Sequence, residues 1–307
     1  MPIISRRECL AALTASAAAA ERPAGVLVES HIHLFASDPK RFPYHRNAVY
    51  KPPAYPLADY VKFAREAKID YCVIVHPEPY QDDHRYLEHC FANEPSPGFF
   101  KGTCLFDPIA PDTPSRMKEL VSQNRGRIVA LRIHENRERN TPATTSGAIR
   151  DRDLRHPAMK TTWRAAHDLG LAIQMHFIPW HAEQIFELAQ EFRDTPVILD
   201  HLARAGQGSP AEFPLVLKLA KLPRVYMKYS GVGYSSKQGF PFADAKPIVK
   251  AAYDAFGPER MIWGGLGHNM KEFSQASEVL DAMFDYASEN DRARIRGLNA
   301  KALFKFA

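Results

Sequence analysis

At 307 residues, 45% of them hydrophobic and 24% charged, the chain is long enough for one large α/β barrel or for two domains, and too apolar to remain disordered. Its formal net charge of +5 is spread along the sequence with no basic block, which argues against nucleic acid or an acidic membrane surface as partner. No apolar run approaches the roughly 20 residues needed to span a bilayer.

The first elements are not those of a fold. Ser5-Arg6-Arg7-Glu8-Cys9-Leu10 precedes an alanine-rich stretch ending at Ala20, the layout of an export signal. The paired arginines suggest the twin-arginine kind, with Cys9 where that motif usually carries Phe. Cleavage near Ala20 would leave 21–307 as a single domain in the periplasm or outside the cell; a frayed alanine-rich helix on a cytoplasmic protein is the alternative. Without Cys9 there remain Cys72, Cys90 and Cys104, an odd set and no disulfide framework.

From Val26 the pattern changes. Val26-Leu27-Val28-Glu29-Ser30-His31-Ile32-His33 is a short apolar run ending in two histidines that strand alternation places on one face. A long polar and aromatic loop over 36–56 leads to a helix at 57–67, a buried strand at 71–77, a helix at 85–92 and a strand at 99–106. A helix at 114–123 precedes a strand at 128–134. Helices at 161–169, 181–192, 213–221 and 247–256 then alternate with strands at 171–177, 196–202, 225–231 and 260–265, and a helix over 272–288 closes the chain. Eight strands alternating with helices over about 250 residues predict a (β/α)8 barrel. An open doubly wound sheet is disfavoured, because no glycine-rich phosphate loop follows the first strand.

In such a barrel the C-terminal strand ends share one mouth, where chemistry is done. His31 and His33, His176 and His201 all fall at such ends, as do His76, His134 and, nearly, His268. Neutral imidazoles converging on an open position suit a borderline divalent metal such as zinc. Arg132 and Lys228 also sit at polar ends of apolar strands. They would either clamp a substrate carboxylate or form ion pairs inside the barrel.

Taken in order, His31-Ile32-His33-Leu34-Phe35, Leu131-Arg132, Gln174-Met175-His176, Leu199-Asp200-His201-Leu202-Ala203-Arg204, Met227-Lys228-Tyr229-Ser230-Gly231 and Gly297-Leu298-Asn299-Ala300-Lys301-Ala302-Leu303-Phe304 resemble the signature stretches of the amidohydrolase superfamily. The similarity is to its amidohydrolase-related branch of pyrone-dicarboxylate lactonases, sugar lactonases and decarboxylases. It implies that His31, His33 and His176 hold one divalent metal when a metal is used, and that His201 polarises the bound water or the substrate carbonyl. Some similar lactonases work without metal. Arg132, standing where a bridged two-metal centre would need lysine, points to one metal or none.

Two departures stand out. The family's last strand usually ends Gly-Ser-Asp-Trp-Pro, whereas this chain has Gly264-Gly265-Leu266-Gly267-His268, so Leu266 falls where a metal-binding, proton-taking aspartate is expected. Glu29 replaces the usual aspartate of strand 1. A positioned general base contributes about 10²–10⁴-fold. The sequence therefore predicts a hydrolase of a lactone or related cyclic ester or amide in a small anionic molecule, with activity altered by Leu266. An inactive ligand-binding relative or a decarboxylase is the alternative.

Overall fold

The computed structural model describes residues 25–307, so the expected export signal over 1–20 lies outside the described residues. Among the described residues no helix is long and apolar enough to cross a membrane. Eight strands, β1 (Val28–Ile32), β2 (Tyr71–Ile74), β3 (Phe100–Cys104), β4 (Ile128–Glu135), β5 (Ala172–Phe177), β6 (Val197–Leu199), β7 (Val225–Tyr229) and β8 (Met261–Trp263), form one parallel sheet in sequence order. The main helices are α1 (Leu57–Glu66), α2 (Arg85–Ala92), α3 (Thr113–Gln123), α4 (Pro157–Asp168), α5 (Ala182–Glu191), α6 (Phe213–Lys218), α7 (Lys246–Phe256) and α8 (Met270–Met283), each following its strand. This is the expected (β/α)8 barrel.

Side chains of β1 join the seam between β8 and β1. Ser30 Oγ donates to the Trp263 carbonyl. The buried Glu29 carboxylate accepts the backbone N–H groups of His31 (2.6 Å), Gly265 (2.8 Å) and Leu266 (2.6 Å). Burial pushes the Glu29 carboxyl up, against the pull of these three N–H groups. Gly264 lets the strands meet this closely, because a Cβ there would lie 2.7 Å from Ser30 Oγ and 2.8 Å from His31 Cβ.

Alternation along the strands sorts the barrel interior into layers. Val28, Val73, Ala130, Ala172, Ile198 and Ile262 pack together with Ala300, Phe304 and Phe306 of the C-terminal segment. Asn299 anchors that segment, its side-chain amide donating to the carbonyls of Pro258 and Met261. Two residues further along β4, β5 and β6 the same face becomes polar, with Arg132, Gln174 and Asp200, all buried. On β1 the pairing register shifts between Glu29 and Ile32, a bulge-like irregularity.

Two local differences from the sequence expectation bear on the site. The β6 strand ends at Leu199, not Leu202: His201, Leu202, Ala203 and Arg204 take φ of +56°, +53°, +54° and +50°, a turn of left-handed backbone. Each such residue costs about 1–2 kcal/mol when it is not glycine, so this turn is held by its surroundings. After Met283 the chain also forms short helices over Glu289–Ala293, Arg294–Leu298 and Asn299–Leu303.

Candidate active site

Asp200, at the end of β6, is the hub of the barrel mouth. It is completely buried. Its Oδ2 accepts from Arg132 Nε (3.2 Å) and Gln174 Nε2 (3.0 Å), with Arg132 Nη2 at 3.1 Å. Its Oδ1 lies in ion-pair range of Lys228 Nζ (3.3 Å) and 3.5 Å from His31 Nδ1, without a well-formed hydrogen bond. Burial alone would raise this carboxyl; Lys228, His31 and Arg132 outweigh it and hold Asp200 well below the usual carboxylate range. Lys228, wholly buried, donates to the Ser30 carbonyl at 2.9 Å and has its own pKa lowered by burial against the pull of Asp200.

Of the two roles open to Arg132 and Lys228, the structure thus shows the internal ion pair. The two cations and Gln174 converge on one carboxylate, which gives both buried cations a counter-charge.

Around this hub stand the imidazoles. The His31 ring lies 4.4 Å from that of His201 and 5.1 Å from that of His33; His176 lies 5.2 Å from His201 and 5.2 Å from His134. The expected residues His31, His33, His176 and His201 therefore line one mouth, and His134 joins them. His76 does not: it packs 4.4 Å from His84 and bonds the Gln81 carbonyl. His268 lies further out, paired with Glu272 at 2.9 Å. Burial lowers all the imidazoles of the cluster, bringing His33 and His201 to about 3, so they are neutral at ordinary pH.

Local structure aims His201. Its Nδ1 lies 2.9 Å from Ser230 Oγ at the end of β7. Gly231, at φ +53°, leaves room for the ring, because a Cβ there would come within 2.8 Å of Nδ1. Three residues along the left-handed turn, Arg204 donates to Asn136 Oδ1 (2.8 Å) and lies 4.8 Å over the Tyr234 ring, whose centroid is 5.3 Å from that of His201. Arg204 Nε has no hydrogen-bond partner. Sequence reasoning assigned no role to Asp200, Gln174 or Arg204. The strand period could have flagged the first two, since both point inward two residues beyond an apolar core position.

The chemistry of the donors fits a metal. Atoms of His31, Asp200 and His201 all lie within 4.8 Å of one another, and two imidazoles with a carboxylate suit a borderline cation such as zinc. His31 Nε2 and both ring nitrogens of His176 are buried without hydrogen-bond partners, as donors kept for an ion or ligand would be. Competing for the same place is the Lys228 ammonium, 3.5 Å from His31 Nδ1. Strand 8 offers no carboxylate: Leu266 is fully buried in the main core, its N–H held by Glu29.

Beside His31 and His33 a cavity of about 510 Å³ opens between β1, the segment after β7, and α8.

A family model described as Amidohydrolase matches residues 28–306. The 4-sulfomuconolactone hydrolase of Hydrogenophaga intermedia is 27% identical over 289 residues, covering 90% of this chain and 88% of that protein. Among solved structures, a Pseudomonas putida protein assigned as a 2-pyrone-4,6-dicarboxylic acid hydrolase superposes with a TM-score of 0.71 at 21% identity, covering 92% of this chain and 98% of that one. A zinc-bound amidohydrolase from Burkholderia multivorans gives 0.71 at 14% identity over 92% and 100%.

Proposed function

Because this chain belongs to the amidohydrolase family, we propose that it hydrolyses a lactone ring in a small anionic molecule at the His31–Asp200–His201 mouth. The observation that carries the reading is four neutral imidazoles lining one mouth, two of which, His31 and His201, border a fully buried carboxylate. That the Hydrogenophaga intermedia relative is a lactone hydrolase supports it. A divalent cation held by His31 and Asp200, with His33 and His176 as neighbouring donors and His201 beside it, would polarise the ester carbonyl and acidify a water.

The chain's own groups do the rest. In the tautomer that donates Nδ1–H to Ser230, His201 presents Nε2 as an acceptor for the attacking water's proton. The charge of Asp200 counteracts the burial that otherwise disfavours His201 in its protonated form, so the carboxylate stabilises the imidazolium while the ring opens. Arg204, with its unpartnered Nε beside Tyr234, is placed to hold a carboxylate or sulfonate of the substrate. Arg132 and Lys228 fix Asp200.

The test is hydrolysis of lactones bearing a carboxylate or sulfonate, followed by base uptake at constant pH, with elemental analysis of the same protein. His201→Asn should lower kcat by about 10²–10⁴-fold with little change in KM. Binding of such lactones without turnover, in protein holding stoichiometric metal, would favour instead the non-catalytic relative that Leu266 suggests.

A further inference from the structure

The cavity beside His31 and His33 differs in character from the cluster it adjoins. Its walls are Phe35 from the loop after β1, Val232, Phe240 and Phe242 from the segment after β7, and Ala276 and Val279 from α8. Among the described residues that line it there is no lysine or arginine, and its carboxylate, Glu272, is paired with His268. An anion gains nothing there. At about 510 Å³ it has the size of a small-molecule site and exceeds what a bare lactone ring fills.

Three features indicate that the space is built for an occupant. After Trp263 at the end of β8, the wall is formed by Gly264, Gly265 and Gly267, none of which puts a side chain into the cavity. Phe240 stands at the cavity with 46% of its surface exposed, an apolar area that a bound group would cover. Among the lining residues, His31 keeps a buried Nε2 without a hydrogen-bond partner. The occupant therefore reaches the reacting groups and extends outward along an apolar wall.

We infer that the substrate is amphipathic: an anionic lactone whose apolar arm, an alkyl chain or an aryl ring, lies between Phe35, Phe242 and Val279, while its anionic group faces Arg204 on the other side of His201. This rests on the lactone-hydrolase reading for the ring and on the cavity alone for the arm.

The two are tested separately. Calorimetric binding of straight-chain carboxylates from butanoate to decanoate requires no turnover, and affinity should rise about fourfold per added methylene until the cavity is full. Ala276→Trp, which fills the cavity from α8, should flatten that series while leaving butanoate binding within about twofold; Val279→Phe should do the same should the tryptophan variant fail to fold. A flat series in the wild type, or one that rises equally in a folded variant, overturns the apolar subsite and leaves the hydrolase reading intact. In the kinetic arm, carboxy-lactones with longer alkyl arms should gain kcat/KM in parallel with binding. Rising affinity with no hydrolysis of any of these lactones keeps the subsite and overturns the substrate assignment.

Discussion

Along the arc from β4 to β7 the strands deliver Arg132, Gln174, Asp200 and Lys228, buried groups gathered around a single carboxylate. Along the arc from β8 to β1 the strand end is Gly264-Gly265-Leu266-Gly267, and the mouth widens into an apolar cavity. The strands of both arcs belong to one parallel sheet, and the contrast lies in what their ends carry. A carboxylate just past β6 organises one half, whereas the segment after β8 brings glycine backbone to the cavity and turns Leu266 into the main core.

Removing the charge of Asp200 should break this contrast most severely. Asp200→Asn leaves Arg132 and Lys228 buried without a counter-charge, and breaking a buried pair in this way costs about 3–5 kcal/mol. Denaturant unfolding measures it. A change below about 1 kcal/mol would mean that the two cations find other partners and that the carboxylate is not the hub.

Acid should act next, through the imidazoles that border both arcs. His33 and His201 have folded pKa values of about 3, below the unfolded value of 6.5, so between these limits the unfolded chain binds protons that the folded chain refuses. Stability is fully present above about pH 6.5 and falls as pH drops toward 3, by about 1.4 kcal/mol per pH unit for each ring that titrates only on unfolding. Asp200, also lowered, adds to the loss below its ordinary carboxylate range, while Glu29, raised, works in the opposite direction. Unfolding in denaturant across pH 7 to 4.5, in the presence of a chelator so that metal release does not contribute, checks the slope. A flat profile would show that these rings are already protonated or reach water.

What the sequence disclosed follows the same division. Periodicity located all eight strands within a few residues, because strands buried on both faces read as short apolar runs. Imidazoles at strand ends were visible for the same reason, since barrel closure brings such ends together whatever the intervening loops do. Arg132 and Lys228 were visible as cations in apolar surroundings, but their partner was not. Asp200 precedes the more conspicuous His201, and its importance depends on three groups far away in sequence meeting it. The left-handed turn over His201 to Arg204 has no signature either: none of the four is glycine or asparagine, and only tertiary contacts hold them there. The cavity was hidden because it is made of glycines and of residues from three separate segments.

The smallest expected effect falls on the boundary between the two arcs, at Ser230. Its hydroxyl is the partner recorded for His201 Nδ1, at 2.9 Å, and it also borders the cavity. Ser230→Ala removes one hydrogen bond and should cost about 1 kcal/mol of stability, far less than the loss of Asp200. Its effect on the ring is more specific. Without a partner at Nδ1 the tautomer is no longer fixed, and the fraction of His201 offering Nε2 as an acceptor falls. The nitrogen chemical shifts of His201 should therefore move toward a tautomer mixture, and kcat should drop by about tenfold with KM little changed, while Ser230→Thr, which keeps the hydroxyl, recovers most of the rate. Loss of stability with an unchanged tautomer and an unchanged kcat would make Ser230 a packing residue, and His201 would then be oriented by Gly231 and the left-handed turn alone.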